Sequence, residues 1–513
     1  MKESTKGAIL LFVLIAVVAG VWKYVGPMLF ERSQRNASDA QKISETIRFG
    51  GDNFLGYWFI TAPETRKDLA RQGIQVDFSD DNGAYADRLK KFADKEYDAI
   101  VLPVNSYLKH GAQYKFPGVI PVALSESKGA DGIVGFANRF PSGQIKDLNN
   151  SKLKVVYTGE SPSSFLIDLT IADFDLFQLK NSKEWKVEVG GSKEVYEKAR
   201  RNEGDVFVLW EPDLSKALAL PGAKYLWGSD KFSGYITDVF VFRRDFVQDK
   251  PEAIQAFFKT YFRSMGIYAN NRTKMIEEMS KSIGEKKEIV EKMIDKIDWF
   301  DLDENINLQF GLGPPGKSND GLINTIIACT DVMRRTGQFN DDPLKGDPYY
   351  ITNSSVLEEL KNTRSLAPVA SAGTSVEFVP LDENGWRKLK EVGTMRVEPI
   401  TFQSWNNFPT EEGKVQIDKL ADMLKNNYPG YRIEVRGHTG PDGDEKENIK
   451  LSLERAQAVM QRLIAVHGLD ENRVRAGGHG SSALPQKKPD ESPREYRYRL
   501  SRVEFVLFEA NPL

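Results

Sequence analysis

Cysteine is almost absent: Cys329 is the single one in 513 residues, so no intramolecular disulfide can form and buried cores must hold the chain together. The length allows this, being enough for two or three domains that each bury a core. Histidine is scarce too. His110, His438, His467 and His479 lie far apart, none with zinc-ligand spacing, so no metal site is expected. Neither sign of charge dominates: 70 Lys and Arg face 73 Asp and Glu, for a net charge of −3. That excludes the basic footprint of a nucleic-acid binder, and nucleic acid is not expected among the partners. Neither a G-x-S-x-G elbow nor an H-E-x-x-H pair occurs. No catalytic residue, cofactor or enzymatic activity is therefore expected. Internal repeats and long low-complexity segments are missing as well.

One long apolar run is present. Gly7 to Trp22 carries no charge, Lys2 and Lys6 precede it, and Lys23 separates it from a second apolar stretch, Tyr24 to Phe30. Two readings stay open. A membrane anchor needs about 20 apolar residues, which Gly7 to Phe30 supplies if Lys23 snorkels. A signal peptide needs a basic start and small residues at the cut, for which Val17-Val18-Ala19 serves. Either exports the remainder. The expectation is a single-pass inner-membrane protein with its bulk in the periplasm, or, after cleavage, a periplasmic wall-associated one. Residues 1–30 are the anchor or signal and 31–44 a polar spacer.

Strand patterns then alternate with helical ones. Thr46-Ile47-Arg48-Phe49, Gln75-Val76-Asp77-Phe78 and Asp98 to Leu102 read as strands, with a helix over Tyr85 to Lys95. Lys154 to Tyr157, Asp205 to Trp210 and Val239 to Phe242 follow. Pro251 opens a helix whose Ile254, Phe257, Phe258 and Tyr261 share one face. The rhythm predicts an α/β fold with a mainly parallel sheet. Residues 362–376 are small, polar and proline-containing, a linker composition. Beyond them Ile417, Leu420, Ala421 and Leu424 stripe one helix and Ala456, Val459, Met460 and Leu463 another, with strands at Tyr431 to Arg436 and Arg502 to Phe508. This predicts a compact βαβαβ α/β sandwich.

The most specific signal lies in that last region. Gly437-His438-Thr439-Gly440-Pro441-Asp442-Gly443 precedes Asn448 and Leu451-Ser452-Leu453-Glu454-Arg455-Ala456. The pattern resembles the OmpA-like peptidoglycan-binding family, over about 110 residues from Arg396 to Phe508. The resemblance implies peptidoglycan as a partner, contacted through His438, Thr439, Gly440, Asp442, Asn448, Arg455 and Arg502. A guanidinium such as that of Arg455 suits the carboxylate of a stem peptide, which it can take bidentately. The family places an Asp where this chain has Gly440, and Asp442 is the candidate substitute for the ammonium contact. His438 also has a plainer reading, as an anchor of its loop.

The region 45–345 resembles type II periplasmic solute-binding proteins, nearest in pattern to the nitrate/sulfonate/taurine receptors of ABC transporters. Gly50-Gly51, Tyr97-Asp98-Ala99, Ser161-Pro162-Ser163-Ser164, Trp210-Glu211-Pro212 and Asp238 to Val241 carry the resemblance. It implies a two-lobed fold binding a small molecule, with an ABC permease or another envelope protein as a further partner. In open α/β sheets ligands bind beyond the carboxyl ends of strands. The candidate ligand contacts there are Asp52, Asn53, Asn82, Asn105, Ser106, Ser161, Ser163, Ser164, Trp210 and Glu211, with turn and cap roles as the competing reading for each. The presence of Asp52 and Glu211 implies that the ligand need not be an anion.

The expected organisation is thus 1–30, 31–44, a solute-binding-like domain over 45–345, a linker region over 346–395 and an OmpA-like domain over 396–513. Gly311 to Ser318 (GLGPPGKS) matches the phosphate-loop pattern, but two consecutive prolines remove amide donors that such a loop needs. It reads as a turn before a helix over Asn319 to Thr336. The expected function is an envelope-anchored solute-binding protein attached to peptidoglycan. The alternative is a structural wall tether, or a membrane protein resembling the flagellar stators, whose solute-binding fold serves protein interaction. The absence of an acidic residue in Gly7 to Trp22 argues against ion conduction.

Overall fold

The computed structural model describes residues 42–174, 176–315, 318–362, 378–403, 407–485, 487 and 491–510. The expected membrane segment lies outside them, as does the spacer apart from its last residues. Among the described residues no helix is long and apolar enough to cross a membrane.

Two mixed sheets form two lobes. The first contains β1 (Glu45–Gly51), β2 (Ile74–Asp80), β3 (Ala99–Pro103), β4 (Gly118–Ser127), β10 (Thr237–Arg243) and β11 (Ile297–Trp299), in the order β11-β4-β10-β3-β1-β2. The second contains β5 (Asp131–Phe136), β6 (Val155–Thr158), β7 (Lys186–Val189), β8 (Val206–Trp210) and β9 (Ala223–Gly228), ordered β7-β6-β8-β5-β9. The chain leaves the first lobe between β4 and β5 and returns between β9 and β10. These two crossovers are stitched together: Ser127 Oγ lies 2.6 Å from Ser229 Oγ and donates to Asp131 Oδ2 at 2.7 Å.

The expectation of a mainly parallel sheet is corrected. β1 pairs in parallel with β2 and β3, but β10 runs antiparallel to both β3 and β4, and β5 antiparallel to both β8 and β9. Each crossover delivers a strand into the far sheet in the opposite sense. Strand runs such as Val239 to Phe242 are buried on both faces and therefore show no alternation that would reveal direction. The Pro251–Ala269 helix buries its predicted face on this sheet, Phe258 and Tyr261 each meeting Phe240 with centroids 5.1 Å apart.

The third sheet contains β12 (Glu391–Met395), β13 (Tyr431–His438), β14 (Val474–Gly478) and β15 (Arg502–Glu509), ordered β12-β15-β13-β14. The helices Glu411–Asn426 and Glu445–Ala465 cover it with the predicted stripes, of which Leu420, Leu424, Val459 and Leu463 are buried. The order is βαβαβαβ rather than βαβαβ. A short helix, Pro493–Leu500, enters before β15, its periodicity hidden by charged residues.

The linker expected over 346–395 is also corrected. Residues Pro348–Ile351 and the Ser355–Asn362 helix pack on the first lobe, where Ile120 bridges Thr352. Glu383–Lys388 and β12 belong to the third sheet's domain. Their apolar anchors, Ile351, Leu357, Leu360 and Trp386, are spaced too sparsely to show a periodic face. Most of the expected 362–376 linker lies outside the described residues.

The third domain does not hang free. Phe174 bridges Met395, the Arg396 amide donates to Asp173 O at 2.7 Å, and Ser233 and Asn427 exchange two hydrogen bonds. Beneath these, Asp173 is fully buried and accepts from Tyr428 Oη at 2.6 Å, Tyr235 Oη at 3.2 Å and Arg335 Nη2 at 2.6 Å. One carboxylate thereby joins the second lobe, the Gly321–Arg335 helix and the third domain.

Candidate functional site

The cleft between the lobes lies where strands end. β1 stops at Gly51 before Asp52; β3 stops at Pro103, where the Val104–Gly111 helix begins; β6 stops at Thr158 before the Pro162–Asp173 helix; β8 stops at Trp210. The lobes are closed. Gly83 of the first lobe has φ +81°, and a Cβ placed there would stand 3.7 Å from the Trp210 ring of the second. The remaining cavity is about 10 Å³, room for one water-sized group.

Its walls are of two kinds. Phe54, Tyr57, Tyr85 and Trp210 supply aromatic faces, and Asp52, Asp131 and Asp238 supply carboxylates; among the described residues no Lys, Arg or His lines it. Asp52 is neutralised by the fully buried Arg88, which donates to it at 2.9 Å, to Asp81 at 2.6 Å and to Val101 O at 2.6 Å. Asp238 accepts from Tyr57 Oη at 2.5 Å. Asp131, 3% exposed, accepts from Ser127 through Oδ2, and its Oδ1 has no partner among the described residues. Burial, only partly offset by the Ser127 hydrogen bond, pushes Asp131 up to about 7, and the charges of Glu211 and Asp52 add to this. Burial likewise drives Asp238 well above the usual carboxylate range, against the Tyr57 hydrogen bond.

The expected ligand residues divide. Asp52 and Trp210 line the cavity. Asn105 Oδ1, Ser106 Oγ and Ser163 Oγ at the adjoining helix starts, and Thr158 Oγ1 at the end of β6, are buried without a hydrogen-bond partner among the described residues. Asn53 and Asn82 are exposed, and Asn82 takes φ +56° in a turn. Ser161 and Ser164 are occupied by a reciprocal cap: Ser161 Oγ accepts from the Ser163 amide and Ser164 Oγ from the Ser161 amide. Glu211 is fully buried and bound by Lys296 of the first lobe and by Ser215 Oγ at 2.7 Å, so it latches the lobes rather than facing the cavity. Ser161 and Ser164 are taken up by the helix cap and Glu211 by its ion pair, while Asn53 and Asn82 are exposed and stand outside the cavity lining. Phe54, Tyr57, Tyr85, Asp131 and Asp238 were missed as site residues. Acids opening buried strands, as Asp131 and Asp238 do, were the available signal.

A second site lies on the third domain. A groove of about 790 Å³ is lined by Arg396, Arg455, Lys487, Arg497, Arg499 and Arg502, against the acids Glu398 and Glu504, with Phe177 of the second lobe at its edge. Arg455 is half-buried, donates to Ser501 Oγ at 2.7 Å and stacks 5.1 Å over Phe402. Arg502 donates to Glu504 at 2.7 Å and to Ala483 O at 3.0 Å. His438 is buried 3.2 Å from Glu504 and stacks on His479. Burial works against ionisation of Glu504, yet His438 and Arg502 beside it hold its carboxyl at about 2. Thr439 Oγ1 is buried without a partner. Asn448 Nδ2 donates to Asp442 O at 3.1 Å, bracing the loop, while Asp442 itself is exposed. Gly440 has ordinary space around it, a Cβ meeting only Leu500 at 3.7 Å.

These features define a two-lobed, mixed α/β fold joined to a C-terminal domain, of which residues 407–499 match the OmpA family. Outer membrane porin F of Pseudomonas aeruginosa is 35% identical over 104 residues, which cover 20% of this chain and 29% of the porin. The two-lobed unit is similar to the alkanesulfonate-binding protein SsuA from Xanthomonas axonopodis pv. citri, with 12% identity and a TM-score of 0.45 over 58% of this chain and 95% of that one. It is also similar to the periplasmic aliphatic sulphonate binding protein SsuA from Escherichia coli, with 14% identity and a TM-score of 0.45 over 66% and 98%. The periplasmic nitrate-binding protein NrtA from Synechocystis PCC 6803 shows 12% identity and a TM-score of 0.46 over 64% and 90%.

Proposed function

We propose that this protein is an envelope-attached receptor: it captures a small molecule between its lobes and holds peptidoglycan through its OmpA-family domain. The observation that carries the reading is that one chain contains both a lobe-enclosed cavity, lined in part by Asp131 with its unsatisfied Oδ1, and an arginine-lined groove, and the two share no lining residue among the described residues. Both sites can therefore be occupied together. Of the groove's cations, Arg455 is the one on the family motif, and its guanidinium takes the stem-peptide carboxylate with two parallel hydrogen bonds. The N-terminal apolar run attaches the chain to the inner membrane, or is cleaved to leave it wall-bound. An ABC permease or another envelope protein receives the liganded form.

Sedimentation with purified sacculi tests the wall half of this reading. Arg455→Ala should reduce the bound fraction about tenfold, the loss of one charge-assisted bidentate contact. Equal binding by variant and parent would remove Arg455 from the site.

A further inference from the structure

The cleft's chemistry does not suit an anion. An anion receptor needs a cation or free hydrogen-bond donors at its centre, yet the cavity is walled by three carboxylates and four aromatic rings. The nearest guanidinium, that of Arg88, is already taken up by Asp52, Asp81 and Val101 O. Asp131 and Asp238 are 3% and 2% exposed, and neither makes a salt bridge among the described residues. Burying a carboxylate without a counter-ion is costly, so one that persists in a cleft calls for a cationic partner from outside. The independent sign of that partner is Asp131 Oδ1, buried without a hydrogen bond among the described residues, on a residue that lines the cavity.

Resting on the receptor reading above, we propose that the ligand is a small organic cation whose primary ammonium group sits between Asp131 and Asp238. A primary ammonium is about the size of the water that the closed cavity admits, and it has three N–H donors. Asp131 Oδ1 and a carboxylate oxygen of Asp238 take two of them. The rings of Phe54, Tyr57, Tyr85 and Trp210 add cation–π attraction in a site already shielded from water. The closed cavity of about 10 Å³ takes the ammonium group alone, so the lobes must part to admit the organic remainder. The charged and titratable groups that face Asp131 are Asp52, Glu211 and Asp238 and the phenols of Tyr85 and Tyr225, with Arg88 beyond Asp52. Of the acids, Asp52 is paired with Arg88 and Glu211 with Lys296, which leaves Asp131 and Asp238 to respond. Cation binding favours their ionised forms, so it releases protons near neutral pH.

Isothermal titration and thermal melting of the full chain in detergent test this with a matched pair, n-propylammonium chloride and sodium propanesulfonate. The ammonium should bind and raise the melting temperature, with release of about one proton per ligand at pH 7, judged from buffers of different ionisation enthalpy. Asp131→Asn and Asp238→Asn should each weaken binding about tenfold or more, and Asp131→Asn should diminish the proton release. If an Asn variant fails to fold, the parent's choice between the two probes still decides the matter. Binding of the sulfonate but not the ammonium would overturn the cation assignment and leave the receptor reading standing. Binding of neither probe, with no melting shift, would overturn both.

Discussion

Asp173 offers the sharpest test of whether the OmpA-family domain and the lobes form one cooperative body. It is fully buried and bonded to Arg335 Nη2 at 2.6 Å, Tyr428 Oη at 2.6 Å and Tyr235 Oη at 3.2 Å. Breaking one side of a buried ion pair usually costs about 3–5 kcal/mol. Here Arg335 is 28% exposed and keeps Asp331 at 2.7 Å, so its side of the loss falls to about 2 kcal/mol. The two phenols each lose a hydrogen bond to a charged acceptor, worth about 1.5 kcal/mol or more. Asp173→Ala should therefore destabilise the protein by about 5 kcal/mol, and Asp173→Asn, which keeps one acceptor oxygen, by about 2 kcal/mol. Because Tyr428 belongs to the third domain, a double-mutant cycle of Asp173→Asn with Tyr428→Phe isolates the interdomain term. Its coupling energy, from urea unfolding followed by tryptophan fluorescence, should be about 1–2 kcal/mol. A coupling below about 0.5 kcal/mol, the scatter between independent sites, would refute the claim that this carboxylate joins the domains.

Two further outcomes follow from the cleft and the groove. Asp131 has its folded-state pKa raised, so its stabilising contribution is complete below the unfolded value near 4 and is lost as pH rises toward 7. The unliganded Asp131→Asn variant should match the parent at pH 4 and exceed it by about 2–4 kcal/mol at pH 8, a shift from 3.8 to about 7 being taken at roughly 1.36 kcal/mol per pH unit and reduced for relaxation. A parent equally stable relative to the variant at both pH values, by urea midpoint, would contradict the burial argument. Gly440→Asp restores the acid of the OmpA-like motif at a position with space for it, and should strengthen sacculus binding several-fold without lowering the melting temperature. No gain in sedimentation would mean that Asp442 or another group already fills the role.

Alternation and periodicity made most of the elements visible in advance. Thr46 to Phe49 lies within β1, Lys154 to Tyr157 overlaps β6, and the stripes through Leu420 and Leu463 fall on the buried faces of their helices. Such patterns are local, because a strand or helix face is set by side chains two to four residues apart. The OmpA-like motif was legible for the same reason: its loop and helix residues sit within twenty positions of one another. Asp52 and Trp210 could likewise be singled out, since each stands at the end of a readable strand.

Charge pairing was decided elsewhere. Nothing near Glu211 announces Lys296, 85 residues away, yet that pairing removes Glu211 from the cavity and turns it into a latch between the lobes. Arg88 reaches 36 residues back to pair with Asp52, while Asp131 and Asp238, near the starts of their strands, make no salt bridge among the described residues. Strand direction and the docking of the third domain on Asp173 also depend on elements far apart in the chain, as with Tyr428, 255 positions from its acceptor. The chain alone determined most of the strands, helices and the OmpA-like recognition loop, since those depend on neighbours along the backbone. Only the tertiary structure determined which buried charges find a partner, because that depends on which surfaces packing brings together out of water.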